Sequence, residues 1–301
     1  VRTAYLGTSE FAATVLRRLA ASPHRPALVV TPPDRRQGRG RKVSPPPAAI
    51  AAKELELELL QAESVNDEEA LARIRAAEPE AVVVCAFGQL IREPLLSEFP
   101  MLNVHPSLLP RWRGAAPIER AIMARDEKTG VCVMKLTAGL DSGPIALCEE
   151  LPLGPEEDFA SLSSRLAEAG GELLVRALDL LAAGGLELAE QDEDGVTYAE
   201  KIEPGERRLD PSQPAAELAA KVRALNPHVG TYLEMGDEER LGVRQAKAVD
   251  AEVEPGRLTV QDGAFLLGCG EGALQLELVQ PPGGKPMPAE AYLRGHPLPE
   301  P

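Results

Sequence analysis

Residues 103 to 117 read NVHPSLLPRWRGAAP and gather an unusual amount of polar and cationic chemistry. Asn103 and His105 set a carboxamide and an imidazole at positions i and i+2. On an extended strand alternate side chains share a face, so the amide and the ring point the same way, and Ser107 joins them if the strand runs that far. An amide donates hydrogen bonds, and an imidazole donates, accepts and changes charge near neutral pH. The pair suits an oxygen that turns negative while a carbonyl is attacked. A carboxylate to complete the set lies in LTAGLDSGPI, where Asp141 stands between Gly139 and Gly143 just after an apolar strand. Glycines there let the backbone turn sharply and come close to another group. Asp141 is therefore the expected partner of His105. A strand-end histidine, an N-x-H pair or a G-x-D-x-G turn means little alone. Their joint placement at the ends of neighbouring strands makes them a candidate catalytic set.

The elements that must position these residues follow from periodicity. TAYLG, ALVVT, AVVVCAF, MLNVHP and GVCVMKL read as short apolar strands, and AVVVCAF as one buried on both faces. ALCEELPL reads as an edge strand or hairpin partner. Between them stand helical stretches. SEFAATVLRRLAAS carries Ser9 as N-cap with Glu10 in the first turn, and NDEEALARIRAAEP is capped by Asn66 and stopped by Pro79. FASLSSRLAEAGGELLVRALDLLAAGG is a helix expected to be loosened at Gly170 and Gly171. This alternation predicts an α/β fold with a Rossmann-like, mostly parallel sheet over residues 1–185. Its ligand site belongs at the C-terminal ends of the strands. Residues 186–205 are polar and punctuated by Gly and Pro, and read as a linker. Residues 206–301 hold one helix and then short strands with an Asp262-Gly263 hairpin signal, which predicts a smaller C-terminal β-barrel of OB-like type.

Bulk properties set the outer bounds. The 301 residues are 44% hydrophobic and 26% charged, as in an ordinary globular protein long enough for two domains. No apolar run approaches the roughly 20 residues that span a bilayer, and no secretory leader is legible, so the expected compartment is the cytoplasm, with no membrane partner. Cys85, Cys132, Cys148 and Cys269 form no C-x-x-C pair, which predicts buried thiols and neither metal nor disulfide. A net charge of −15 argues against a general nucleic-acid binder. It leaves room for a local patch. RRQGRGRK, residues 35–42, carries Arg35, Arg36, Arg39, Arg41 and Lys42 without an acid, on a glycine-rich loop between prolines. Arginines match phosphates bidentately, and Arg111 and Arg113 stand beside the candidate centre, where they would meet phosphates or serve in packing and ion pairs.

YLGTSEFAA, PDRRQGRGRK, NVHPSLLPRWRGAAPI, GLDSGPI, VTYAEKI and LQLELVQPPGGKPM follow one another over nearly the whole chain. Together they resemble the methionyl-tRNA formyltransferase family. The central motif alone indicates a folate-dependent formyltransferase, and the basic loop and C-terminal motifs point to the tRNA enzyme. The resemblance implies formyl transfer from 10-formyltetrahydrofolate to the amino group of methionyl initiator tRNA, by a monomer that needs no metal. It places the catalytic roles on Asn103, His105 and Asp141, and folate binding on Ser107, Leu108, Leu109 and Pro110. By analogy it adds backbone contacts to a pterin from Phe87, Gln89 and Leu90. It makes 206–301 a tRNA-binding domain, although that segment holds 15 acidic against 10 basic residues. Ser9, Phe87 and His228 stand where the family tends to carry Pro, Tyr and Trp.

Overall fold

The computed structural model describes residues 1–37, 42–235, 239–296 and 298. The chain divides into two compact units that interleave along the sequence. The first comprises Val1–Gly114, Lys128–Pro152 and Ser163–Tyr198, and the second Ala115–Glu127, Leu153–Leu162 and Ala199–Pro301.

The first unit opens with β1 (Thr3–Gly7), α1 (Glu10–Ala20) and β2 (Pro26–Thr31). A short antiparallel hairpin follows, β3 (Arg35–Gln37) and β4 (Lys42–Ser44), then α2 (Pro47–Glu54), β5 (Leu59–Gln61), α3 (Glu68–Ala76) and β6 (Ala81–Cys85). One helical turn, α4 (Leu95–Glu98), leads to β7 (Met101–His105) and the two-residue β8 (Arg113–Gly114). After α5 (Pro117–Met123), which belongs to the second unit, come β9 (Lys128–Lys135), β10 (Ile145–Pro152) and the long α6 (Phe159–Ala182). A short β11 (Tyr198–Ala199) pairs with β8.

Seven strands form one sheet in the order β10-β9-β7-β6-β1-β2-β5. From β5 to β7 every neighbouring pair is parallel, while β9 and β10 add an antiparallel edge. This is the Rossmann-like sheet that the alternation predicts. The strands β1, β6 and β7 are buried along their whole length, as a sheet covered on both faces requires. Ser9 caps α1 through its hydroxyl, which accepts from the Ala12 N–H, and the helix buries Phe11, Val15 and Leu19.

Three local expectations are corrected. Asn66 does not cap α3, whose N-cap is Asp67. Its amide donates to the Leu90 carbonyl at 2.8 Å and accepts from the Arg92 N–H at 2.8 Å, tying down the loop after β6. The second correction concerns α6, which runs unbroken through Gly170 and Gly171. A Cβ on Gly170 would lie 2.9 Å from Val104 Cγ1, and one on Gly171 would lie 2.8 Å from Arg18 Cβ. The two glycines are there for close packing against β7 and α1, which outweighs their poor helix propensity. Third, Cys132 and Cys148 form a disulfide and are not separate thiols. They are direct partners across the antiparallel β9–β10 ladder, so the register brings together two residues 16 apart. Cys85 and Cys269 are free and buried, and burial pushes the Cys85 thiol up to about 12.

The second unit contains α5, α7 (Ala215–Leu225), β12 (Thr231–Glu234), β13 (Arg240–Val249), β14 (Leu258–Gln261), β15 (Ala264–Gly268), β16 (Ala273–Gln280), β17 (Met287–Pro288) and α8 (Ala289–Gly295). Its strands form an antiparallel sheet in the order β12-β13-β16-β15-β14, with β17 added on β16. Asp262 and Gly263 both take positive φ in the β14–β15 turn, as the tight-hairpin signature demands. Leu218 and Val222 of α7 pack on Val243, Phe265, Leu274 and Leu276 of the sheet. Arg120 of α5 forms a two-pronged pair with the Glu206 carboxylate at 2.6 and 3.0 Å. That guanidinium holds the Glu206 carboxyl below the usual carboxylate range. Among the described residues no helix is long and apolar enough to cross a membrane.

Candidate active site

β7 positions the first two groups by its backbone. It pairs with β6 on one side, Val84 opposite Asn103, and with β9 on the other, Met134 opposite Asn103 and Cys132 opposite His105. Ladders on both edges fix the register, so Asn103 and His105 share a face. Both are buried, at 8% and 4% exposure, where an uncompensated polar group is costly. The His105 ring is anchored through Nε2, which lies 2.9 Å from the Trp112 carbonyl oxygen. A carbonyl only accepts, so Nε2 carries the proton there. Nδ1 is left facing Asp141, with Oδ2 at 3.7 Å.

The strand ends at His105, two residues short of Ser107. The Ser107 N–H folds back to the His105 carbonyl at 2.9 Å, and its hydroxyl donates to the Arg111 carbonyl at 2.6 Å. Ser107 is thus a fully buried brace of the SLLPR turn. Leu109 packs with Cys132 and Met134 beneath this turn, and Leu108 abuts Gly130, where a Cβ would lie 2.5 Å from Leu108 Cδ2.

Asp141 reaches the centre by a less direct route than strand ends alone imply. β9 runs antiparallel to β7, with Lys135 opposite Leu102, so the loop after β9 begins beside the start of β7. It must double back by the length of three strand residues, roughly 10 Å, to reach His105. Asp141 then sits at φ 44°, a left-handed conformation that Asp tolerates better than most residues. Its Oδ2 accepts from the Gly114 N–H at 2.9 Å. The backbone of its loop is held by Gln191, whose Nε2 donates to the Asp141 carbonyl at 2.8 Å and the Gly143 carbonyl at 2.7 Å. The same residue's Oε1 accepts from Arg113 Nε at 3.0 Å and from its second guanidinium nitrogen at 2.7 Å. Thr197 completes the enclosure. Its Oγ1 accepts from the Trp112 N–H at 2.9 Å, and its carbonyl accepts from the Arg113 N–H at 2.9 Å. Gln191 does not stand out from the sequence, and Thr197, though inside the VTYAEKI motif, carries no sign there of the bonds it makes. They lie in the segment read as a linker, and their partners are 48 to 85 residues away.

The remaining candidates divide. Phe87 is buried in the core of the sheet, and its carbonyl accepts from the Thr8 hydroxyl at 2.6 Å. The Gln89 side chain bonds the Val65 N–H and the Ala62 carbonyl, which shapes the loop and leaves only its backbone for a ligand. Leu90 is 66% exposed on that loop, just past the C-terminal end of β6, and Leu140, next to Asp141, is 61% exposed. Arg111 lies over the Trp112 ring at 4.3 Å, and Arg113 is bound to Gln191, which favours the packing alternative for both. Arg35 is exposed on β3, 4.0 Å from Glu63, while Arg36 and Lys42 are paired into the same hairpin by their backbones. Arg39 and Arg41 lie outside the described residues. Among the described residues no cluster of His, Cys, Asp or Glu is arranged to hold a metal ion.

The other histidines have structural partners. His24 is buried with Nε2 2.8 Å from Asp179, and His228 stacks on Phe159 with Nε2 2.9 Å from Glu119. His296 stacks on Tyr292.

Comparison with known proteins bears on this site as a whole. Residues 1–178 match the model of the formyl transferase family, and residues 201–297 match that of the formyl transferase C-terminal domain. The methionyl-tRNA formyltransferase of Rhodopseudomonas palustris (strain TIE-1) is 41% identical over 303 residues, covering 99% of this chain and 97% of its own. That of Methylococcus capsulatus (strain Bath) is 43% identical over 302 residues, covering 99% and 98%. Among solved structures, HypX from Aquifex aeolicus in complex with tetrahydrofolic acid superposes with a TM-score of 0.67 at 17% identity, over 97% of this chain and 46% of that one. At that identity the likeness speaks for the fold.

Proposed function

Since the chain belongs to the methionyl-tRNA formyltransferase family of one-carbon group transferases, we propose that it formylates the amino group of methionyl initiator tRNA, with 10-formyltetrahydrofolate as donor. The observation that carries this assignment is His105 Nδ1 facing the Asp141 carboxylate at 3.7 Å, with Asn103 two residues before His105 on the same strand. The surroundings fit the donor. Exposed Leu90 and the backbone of residues 87–90 lie past the end of β6, offering an apolar face and hydrogen-bonding groups to a flat pterin. Leu140 offers a second apolar face beside Asp141.

The donor supplies an electrophilic formyl carbon, and the substrate amine is the nucleophile. Attack places negative charge on the formyl oxygen and positive charge on the amine nitrogen. Asn103 Nδ2 donates a hydrogen bond to that oxygen. His105 in its cationic form offers a second donor through Nδ1, because Nε2 is occupied by the Trp112 carbonyl. Asp141, facing Nδ1, orients the ring and accepts the amine proton, directly or through a water, for delivery to the departing nitrogen. No covalent bond to the enzyme is needed. Ser107, Leu108, Leu109 and Pro110 form the wall against which the donor rests, with Ser107 acting by holding the turn and not by touching it.

For the tRNA, the cationic contact is the basic segment 35–42, with Arg35, Arg36, Arg39, Arg41 and Lys42. That local patch is how a chain of net charge −15 approaches an acceptor stem. Residues 206–301 form the second tRNA-binding unit. The deciding assay offers 10-formyltetrahydrofolate with methionyl initiator tRNA, free methionine, and small amines such as amino sugars and glycinamide ribotide. Formyl transfer confined to the charged tRNA is the expected result. Preferred transfer to a small amine, or release of formate without transfer, would overturn the assignment.

A further inference from the structure

We propose that Gln191 and Thr197, the two ends of one exposed turn, are positioning residues of the transfer reaction, each holding a different catalytic group. The inference rests on the functional assignment above. Between them run Asp192, Glu193, Asp194, Gly195 and Val196, the first four exposed, with Gly195 at φ 82° and an Asp194 N–H to Asp192 Oδ1 bond of 3.0 Å closing the turn. Outside them, Ala189 exchanges both backbone hydrogen bonds with Ile145, at 2.7 and 2.9 Å. The segment is thereby pinned to the first residue of β10, on the far side of the loop that bears Asp141.

Gln191 uses all its hydrogen-bonding capacity. Its two amide protons go to the carbonyls of Asp141 and Gly143, which flank Ser142, and its oxygen takes two guanidinium N–H groups of Arg113. Arg113 and Gly114 are consecutive, and the Gly114 N–H is the donor that grips the Asp141 carboxylate. Gln191 therefore binds together the two segments whose separation decides where that carboxylate sits. Thr197 acts on the opposite partner. It fixes Trp112 through the N–H, and the Trp112 carbonyl fixes the His105 ring and its tautomer. Asp141 has no strand ladder to place it and holds a positive φ, so side-chain bonds of this kind must do the placing. Misplacement by about 1 Å at a reacting centre costs up to roughly 10²-fold in rate.

Two substitutions at Gln191 separate the links. Gln191→Glu keeps acceptors for Arg113 but turns a carboxylate oxygen toward the carbonyls of Asp141 and Gly143, while Gln191→Met removes both links. Both variants should lose roughly 10- to 100-fold in kcat, with KM for each substrate within about threefold of wild type. In an Asp141→Asn background Gln191→Glu should cost little more, because the group it positions is already gone. A full, additive loss in that background would indicate general destabilisation and overturn the proposal, as would wild-type kcat for Gln191→Glu. Thr197→Val and Thr197→Ser provide the second arm if Gln191 variants fold poorly, as judged by their melting transitions. Thr197→Val should lower kcat, and Thr197→Ser, which keeps the acceptor oxygen, should restore it. Equal kcat in that pair would remove Thr197 from the proposal. Wild-type protein runs alongside throughout. If it transfers no formyl group the functional assignment fails, whereas an active wild type with unaffected variants defeats the positioning roles alone.

Discussion

The two sides of the candidate centre are built by different means. Asn103 and His105 stand on a strand with hydrogen-bonded neighbours on both edges, and the ladder sets their direction. Asp141 stands on a loop that returns against the direction of its own strand and depends on Gln191 and Gly114 for its place. One side is specified by repeating backbone geometry, and the other by single side-chain bonds across long stretches of chain. Substitutions on the first side should act through chemistry or through gross stability. On the second they should act through placement.

The largest expected effect probes the strand side directly. Asn103→Ala should lower kcat by about 10²–10³-fold, the usual cost of one oxyanion donor, with the melting transition little changed. Turnover near wild type would take Asn103 out of the mechanism. Next comes Gly170→Leu, which forces a side chain into the space between α6 and Val104, on the strand that carries both polar groups. Overpacking there should cost about 2–3 kcal/mol in denaturant unfolding, and the loss should be visible in folding before it is visible in kcat. A smaller change is expected for Ser107→Ala, which removes the fully buried hydroxyl's bond to the Arg111 carbonyl and should cost about 1–2 kcal/mol. It should raise KM for the donor more than it lowers kcat, since the SLLP wall loosens while β7 stays.

The smallest effect is a control that touches neither side. Glu206→Gln weakens the pair with Arg120 and should cost about 1 kcal/mol at pH 7. The Glu206 carboxyl is held low in the folded protein, so its stabilisation is complete above its unfolded value and is lost as pH falls through the folded value. The stability difference between wild type and Glu206→Gln should therefore shrink below about pH 4.5. A difference that grew on acidification would reverse the sign of this linkage.

What was legible in the sequence divides along the same line. Period and capping made β1, β6 and β7 recognisable, and Ser9 marked the start of α1, because those signals are local. Asn103 and His105 were legible as a pair because strand alternation is a rule about neighbours. Asn66 was misplaced because its amide satisfies a loop 24 to 26 residues away in preference to its own helix. The Cys132–Cys148 bond was missed because only the register of two strands reveals it. Gln191 stayed hidden for the same physical reason. A side-chain amide that serves two distant backbones leaves no periodic trace.

The alternation of the two units along the chain has a bearing on how the molecule can be divided. Residues 115–127 and 153–162 belong with the segment after 198, and α5 packs beside α7 within that unit. A fragment beginning at Ala199 would leave that flank of α7 bare and Glu206 deprived of its guanidinium. No single cut releases either unit intact, so each keeps its full set of contacts only within one polypeptide.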